Sequence, residues 1–189
     1  MNERLFLAIN RLSHSSGFLD ALMVFCAQYI PLILIAFVAY LWILAKRAGR
    51  EMAVRAALSG GLALVLARIV GLFQYQAIPS VLGLGRPLIL HAANNSFPSD
   101  HVSFSFAIAI SLLFSRSRLW PQSVLLAVLI AFARVFVGVH FPVDVLAGAL
   151  VGALASLIIH LLRSKSDLVA AWLYRVQTRI LAILLRKRG

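Results

Sequence analysis

The sequence predicts an all-α integral membrane protein, a bundle of five to six transmembrane helices with an amphipathic helix at each terminus. Of its 189 residues, 62% are hydrophobic, well above the roughly 45–50% of soluble domains. Several apolar stretches are long enough to cross a bilayer, which takes about 20 helical residues. Most of the 18 Lys and Arg residues lie in the short loops between these stretches and in the C-terminal tail. We therefore expect one membrane-embedded domain over residues 1–189.

The first third of the chain accounts for the N-terminal amphipathic helix and two spans. Residues 1–16 carry apolar and polar side chains on opposite helical faces, a pattern typical of an interfacial helix; the apolar face is Leu5, Ile9 and Leu12, and the polar face is Arg4, Asn10 and Arg11. Span one covers residues 18–45, with Pro31 as its expected kink point. After a charged turn, span two covers residues 52–75 and contains Arg68.

The remainder of the chain begins with a loop and continues with three spans and a tail. Residues 76–97 contain several Pro, Gly and Asn residues, so we do not expect one continuous helix there. Spans three, four and five cover residues 99–115, 120–139 and 142–162. Residues 167–188 form a second amphipathic pattern, with Leu168, Trp172, Ile180 and Leu184 opposite Arg175, Arg179, Arg186, Lys187 and Arg188. Small residues that allow close helix approach are Gly138, Gly148 and Gly152.

The distribution of charge predicts the orientation of the transmembrane core, residues 18–162. With five spans, the turns at 46–51 and 115–119 lie on the same side as the tail and hold most of the basic residues. The positive-inside rule makes that side cytoplasmic. In a soluble protein, a net charge of +12 would indicate nucleic-acid binding. Because these charges flank spans, we expect the membrane bilayer, and no nucleic acid, as the partner.

Two polar segments interrupt the apolar sequence. The first is residues 96–101, and the second comprises Arg134, His140 and Asp144. The apolar runs between them are joined by a short turn at 115–118, so two antiparallel helices would return both segments to one membrane face. Polar groups at membrane depth are costly and therefore suggest function. We predict that the two segments form one site, facing the periplasm or cell exterior.

The residue types in these segments suit a phosphate group. Ser99 is a favourable N-cap for span three, and Pro142 fits the first turn of span five. Two helix N-termini would then direct free N–H groups toward one pocket, as phosphate sites often require. Arg134 can offer planar, bidentate donors to phosphate oxygens. The sequence therefore predicts a pocket for an anion with several oxygens.

Two histidines in the same segments predict nucleophilic and acid–base chemistry. Asp144 follows His140 by four residues, so a hydrogen bond to the carboxylate would fix the tautomer and leave the other ring nitrogen to attack. His101 would act as general acid toward the leaving oxygen. The sequence has no tight cluster of His, Cys and carboxylate ligands, so we expect no metal and no other cofactor.

The motifs resemble those of a known family. Pro98-Ser99-Asp100-His101 is similar to the second signature of the type 2 phosphatidic acid phosphatase superfamily, usually Pro-Ser-Gly-His. Arg134, His140 and Asp144 match its third signature, Ser-Arg-x5-His-x3-Asp, with Ala133 in the place of Ser. The aspartate at position 100, within residues 91–101, resembles the bacitracin-resistance branch, which contains the undecaprenyl-diphosphate phosphatases. The resemblance covers most of the chain.

This resemblance implies a reaction and a role for each matching residue. The substrate would be a polyprenyl diphosphate lipid, hydrolysed to the monophosphate and inorganic phosphate. His140 would form a phosphohistidine, Asp144 would orient it, and His101 would protonate the departing phosphate. Arg134 and Ser99 would hold phosphate oxygens. The resemblance also implies the bacterial inner membrane, carrier-lipid recycling for peptidoglycan synthesis and resistance to bacitracin.

The first signature of the family, Lys-x6-Arg-Pro, is not matched. The chain has one Arg-Pro pair, Arg86-Pro87, and Pro79 lies where the lysine would be. We expect Arg86 to supply the missing phosphate contact, with Arg68 as the alternative. Asp100 is placed at the phosphate-binding edge, or else it serves only as a helix-start carboxylate. His91 is expected to be a loop residue, with a substrate contact as the alternative.

Other functions remain open at this point. The same site would serve a phosphatase of phosphatidylglycerol phosphate or phosphatidic acid, or a lipid phosphotransferase. A non-enzymatic scaffold or transporter is a further alternative. Arg134 could be a structural ion-pair partner of Asp144, and Arg68 a structural hydrogen-bonding residue.

Overall fold

The computed structural model describes residues 1–90 and 95–186, without the side chains at 181 and 184–186. Within those ranges every regular element is an α-helix, which confirms the predicted fold class. In chain order the helices are α1 (Asn2–Asn10), α2 (Gly17–Gln28), α3 (Ile30–Leu44), α4 (Arg47–Phe73), α5 (Asp100–Phe114), α6 (Trp120–Phe136), α7 (Pro142–Leu161) and α8 (Arg163–Arg186).

Helix lengths differ among the predicted spans. Helices α4 and α7, with 27 and 20 residues, are long and apolar enough to cross a membrane. Helices α2 and α3 meet the same test together, but they are bent by 44° at a break next to Pro31, as predicted. Helices α5 and α6 are apolar but have 15 and 17 residues, so they extend roughly 23 and 26 Å. By length and composition, the described residues thus contain two helices that could span a membrane, or three with the bent pair, besides the two shorter apolar helices.

Helix α5 lies at the centre and packs against α4, α6 and α7. Gly148 and Gly152 of α7 face α5 directly. A Cβ added at Gly148 would lie 2.9 Å from the Ser99 carbonyl oxygen, and one added at Gly152 would collide with the Ser103 carbonyl. The two backbones therefore touch, as predicted for these glycines. Gly138 differs, since it occupies the turn after α6 with φ at +85°.

Helix α1 packs into the bundle by a face that the sequence analysis did not predict. Phe6 and Asn10 are buried, whereas Leu5 and Leu12 are each 50% exposed. The Nδ2 of Asn10 donates a hydrogen bond of 2.8 Å to the Phe136 carbonyl at the end of α6. The placement of Asn10 on a solvated face was therefore wrong, because its amide satisfies a carbonyl that the helix end leaves unpaired.

Helix α8 follows α7 almost directly, and it begins four residues before the predicted position 167. Its predicted apolar residues Leu168, Trp172 and Ile180 are more than half exposed. Ala170, on another side of the helix, is buried. The exposure of these three apolar side chains agrees with the predicted apolar face of α8, which points away from the bundle. Lys187 and Arg188 lie outside the described residues, as do the side chains of Leu184 and Arg186.

Candidate active site

The two polar segments meet at a cavity of about 470 Å³. Helix α5 begins at this cavity with Asp100 and His101, and α6 returns to it with Arg134 near its end. His140 reaches the cavity from the residues that precede α7, and Arg68 reaches it from the last turns of α4. The predicted hairpin thus brings both segments to one site.

Arg134 and His140 are in direct contact. The Nη2 of Arg134 lies 3.2 Å from Nε2 of His140, and both residues are buried. A guanidinium can only donate hydrogen bonds, so Nε2 is the acceptor and the neutral ring carries its proton on Nδ1. Nε2 therefore has the lone pair that a nucleophile needs.

The other ring nitrogen faces Asp144. The distance from Nδ1 of His140 to Oδ2 of Asp144 is 3.7 Å. This separation is within ion-pair range, but it is longer than an N–H···O hydrogen bond, in which the two heavy atoms lie about 2.7–3.2 Å apart. The contact with Arg134 favours the predicted tautomer, whereas the predicted hydrogen bond to the carboxylate is not formed at this distance. A small shift of the ring would form it.

Asp144 is held by groups other than the histidine. Its Oδ2 accepts hydrogen bonds from the Ser96 hydroxyl at 2.9 Å and from the Phe141 backbone N–H at 2.8 Å. The second bond caps the start of α7, since Phe141 is the N-cap residue. Asp144 is completely buried. Its carboxylate is therefore fixed from two directions behind the imidazole.

Ser99 is the N-cap residue of α5, as predicted, but its side chain makes no capping hydrogen bond. Its backbone N–H instead donates to the Asp144 carbonyl at 3.1 Å, which ties the start of α5 to the start of α7. The hydroxyl is buried, and among the described residues it has no hydrogen-bond partner. The predicted N-cap position is therefore confirmed, although the side-chain hydrogen bond that usually accompanies it is not formed.

The structure separates Arg86 from the cavity. Its side chain is exposed, and its backbone N–H donates to Oδ1 of Asn10 at 2.6 Å, which holds it in a turn beside α1. The alternative, Arg68, lines the cavity and forms an ion pair of 2.9 Å with Asp100. The placement of Arg86 at the site is thereby corrected. His91 lies outside the described residues.

Taken together, the cavity offers two arginines, two histidines and the start of α5 to a ligand. The start of α7, which was predicted to direct N–H groups to the same pocket, does not line it, and the Val143 N–H donates to Oδ1 of Asn2 instead. Such a set of donors suits a phosphoryl group, whose transfer depends on positioning and on stabilising negative charge. A family model described as PAP2 superfamily matches residues 62–167, more than half of the chain. The chain belongs to the PAP2 superfamily.

Relatives and a solved structure agree with this assignment. The chain is 34% identical over 174 residues to undecaprenyl-diphosphatase BcrC of Bacillus subtilis (strain 168), covering 89% of this chain and 90% of that one. It is 34% identical over 160 residues to the putative undecaprenyl-diphosphatase YbjG of Escherichia coli (strain K12), covering 83% and 80%. The crystal structure of Aquifex aeolicus LpxE matches with a TM-score of 0.69 and 29% identity, covering 84% of this chain and 93% of that one. The resemblance to this superfamily is confirmed.

This PAP2 chain also uses residues to which sequence analysis gave no role. The Asn95 side chain donates to the Gly71 and Gln74 carbonyls, both at 2.8 Å, and accepts from the backbone N–H of Gln76 and Phe97. It thereby closes the C-terminal end of α4 and fixes the segment that forms one cavity wall. The sequence showed only an asparagine in a loop. Ser96, which donates a hydrogen bond to Asp144, was likewise predicted only to belong to a polar segment.

Proposed function

We propose that residues 1–189 form one lipid phosphatase domain that hydrolyses undecaprenyl diphosphate to undecaprenyl phosphate and inorganic phosphate. The observation that carries the proposal is that His140, whose Nε2 contacts Arg134, lines one cavity together with His101, Arg134 and Arg68. The similarity to BcrC, which is named for this reaction and matches over most of both chains, supports the same substrate.

The reaction proceeds in two steps at the terminal phosphorus. In the first, Nε2 of His140 attacks, the bond to the bridging oxygen breaks, and His101 donates a proton to the leaving lipid monophosphate. In the second, a water molecule attacks the phosphohistidine, His101 accepts its proton, and inorganic phosphate leaves. Arg134 must turn from Nε2 to the phosphate oxygens when substrate binds, which frees the lone pair for attack.

Asp144 assists these two reaction steps through His140. As the bond to phosphorus forms, the ring becomes positively charged, and the buried carboxylate stabilises that charge at Nδ1. Ser96 and the N-cap amide of Phe141 keep the carboxylate oriented. The backbone N–H groups in the first turn of α5, which begins at Asp100, and the Ser99 hydroxyl would complete the set of donors around the transferred phosphoryl group.

Arg68 is the residue we assign to the leaving phosphate. Its side chain is 76% exposed and its partner Asp100 is 36% exposed, so a diphosphate can displace the carboxylate without burying an unpaired charge. Asp100 then serves as a partner that holds Arg68 in place when the site is empty of substrate. Both residues lie at the mouth of the cavity.

The lipid tail would leave the cavity beside the end of α4. Leu72 lines the cavity, and it and Phe73 are 83% and 85% exposed. A membrane location follows from the apolar helices and the relatives. We assign the protein to the bacterial inner membrane with the cavity facing outward, because the basic loops lie at the opposite helix ends.

An assay with purified protein tests the proposal. Phosphate release is measured side by side from undecaprenyl diphosphate, phosphatidylglycerol phosphate and phosphatidic acid, with His140→Ala as the inactive control. We expect the polyprenyl diphosphate to have the highest kcat/KM. Faster release from either of the other lipids would replace the substrate but keep the mechanism, and transfer of phosphate to another lipid would identify a phosphotransferase. No release from any of them would reject the enzyme.

A further inference from the structure

A second cavity, of about 810 Å³, lies at the opposite end of the bundle. Its wall includes Ser115 and Arg116 just after α5, His160 near the end of α7, and Arg163 at the start of α8. The first cavity lies at the starts of α5 and α7. The length of α5, roughly 23 Å, therefore separates the two cavities, and the second one has no part in the proposed reaction.

Positive charge dominates the second cavity. Arg55, Arg116 and Arg163 line it, and Asp167 is the single acidic side chain that the described residues place in its wall. Asp167 is already paired with Arg55. Two positive charges thus remain before any protonation of His160. A pocket of this kind attracts anions.

Arg55 is fixed in the wall before any ligand binds. Its side chain is only 16% exposed. Besides its ion pair with Asp167 of α8, its Nε donates to the Ser115 hydroxyl at 3.4 Å. Arg116 occupies a left-handed backbone position, with φ at +52°, which after a helix usually belongs to glycine. Arg55 is therefore preorganised, whereas the side chains of Arg116 and Arg163 are exposed and can turn toward a ligand in the cavity.

The remaining wall is apolar. Leu113 and Phe114 belong to it, and the Phe114 ring stacks on the His160 ring with a centroid distance of 4.7 Å. A ligand that fills this cavity would therefore combine an anionic head with an apolar part. Basic pockets between transmembrane helices commonly hold phospholipid head groups.

We propose that this second cavity binds a phosphate-bearing anion, supplied by the head group of an anionic phospholipid. Arginine forks match phosphate oxygens in pairs, and Arg116 and Arg163 provide two of them on different elements. Inorganic phosphate has the same oxygens but lacks the apolar part, so it should bind more weakly.

The test measures lipid binding to the full chain, purified in an uncharged detergent, by native mass spectrometry during titration with dioleoyl-phosphatidylglycerol. The cavity variant is Arg116→Gln/Arg163→Gln. The matched control is Arg118→Gln/Lys165→Gln, which removes the same charge from exposed positions at the same end that do not line the cavity. Because each cation near an anionic lipid is worth about a fivefold change in affinity, we expect the cavity variant to bind roughly 30-fold more weakly.

The control variant should bind phosphatidylglycerol within about twofold of the unmodified protein. Equal affinity in the cavity variant and the unmodified protein would overturn the proposal, and so would an equal loss in both variants, which would indicate diffuse attraction. A parallel titration with inorganic phosphate distinguishes the two sources of the anion; equally tight binding, lost in the cavity variant, would assign the site to free phosphate. If the double variant does not fold, Arg163→Gln against Lys165→Gln replaces it, with about a fivefold loss expected.

Discussion

Replacing Arg68 with glutamine tests which arginine contacts the departing phosphate. The substitution removes one cation from the mouth of the cavity, where Arg68 is paired with Asp100 at 2.9 Å. Exposed ion pairs contribute about 0–1 kcal/mol to stability, and the Arg68 side chain is 76% exposed. The variant should therefore fold and unfold as the unmodified protein does.

The expected loss of activity follows from the lost phosphate contact. A hydrogen bond to a charged group is worth about 1.5–3 kcal/mol, which corresponds to roughly a 10- to 150-fold fall in kcat/KM. The assay is phosphate release from undecaprenyl diphosphate by purified protein. With phosphatidic acid, whose leaving group has no second phosphate, the fall should be clearly smaller.

Arg86→Gln is the matched control. Arg86 is also an exposed arginine, in the irregular segment 76–97, but it does not line the cavity. Its kcat/KM should stay within about twofold of the unmodified value, as for most surface substitutions. If Arg86→Gln lowers turnover while Arg68→Gln does not, the assignment of Arg68 to the leaving phosphate is refuted.

The remaining predictions concern the nucleophile, its support, the metal and the helix contact. His140→Ala should lower turnover by at least about 1,000-fold with folding retained, and acid-labile phosphate on the protein during turnover should disappear; label persisting in the variant would place the nucleophile elsewhere. Ser96→Ala should lower kcat about tenfold with KM unchanged, because Asp144 loses a charge-assisted bond, and Ser96→Thr should restore part of it. Removal of divalent cations with EDTA should leave phosphate release unchanged, while a loss restored by one metal would contradict the metal-free mechanism. Gly152→Ala should destabilise the protein by about 1–3 kcal/mol through overpacking in thermal unfolding, whereas Gly61→Ala, which meets no atom within 4 Å, should not.

The convergence of the two polar segments was predictable because it follows from helix geometry. Two apolar runs of similar length joined by a four-residue turn return to the same level, so His101 and Arg134 had to lie near each other. His140 and Asp144, four residues apart, share a helix start and hence a side. In both cases, the spacing of residues close together in the sequence was sufficient to predict that the side chains converge.

The choice between Arg86 and Arg68 was not predictable, since it depends on the path of an irregular segment. Residues 76–97 have no periodicity that would indicate a direction, and the turn that carries Arg86 is held by Asn10, 76 residues away. The bond between Ser96 and Asp144 likewise joins positions 48 residues apart. Such contacts depend on tertiary packing, and a single sequence does not encode them in a local pattern.

The ends of the spans were less predictable for a related reason. Span three was predicted to within one residue at each end of α5, whereas span four was extended to residue 139 and α6 ends at Phe136. The residues beyond these ends form turns that position His140 and the segment ahead of α5. Apolar composition predicts burial, and it does not distinguish a helix from a buried turn.

The glycine contact between α5 and α7 decides where this protein can be redesigned. Because Gly148 and Gly152 leave no gap between the two backbones, a larger side chain at either position would push α7 away from α5, the helix that begins at the cavity. Leu72 of α4 lines the cavity and is 83% exposed, so its side chain can be enlarged or trimmed, whereas a Cβ added at the neighbouring Gly71 would lie 3.2 Å from the Phe97 carbonyl oxygen. Libraries that aim to alter lipid preference should therefore vary α4 and leave the α5–α7 pair intact.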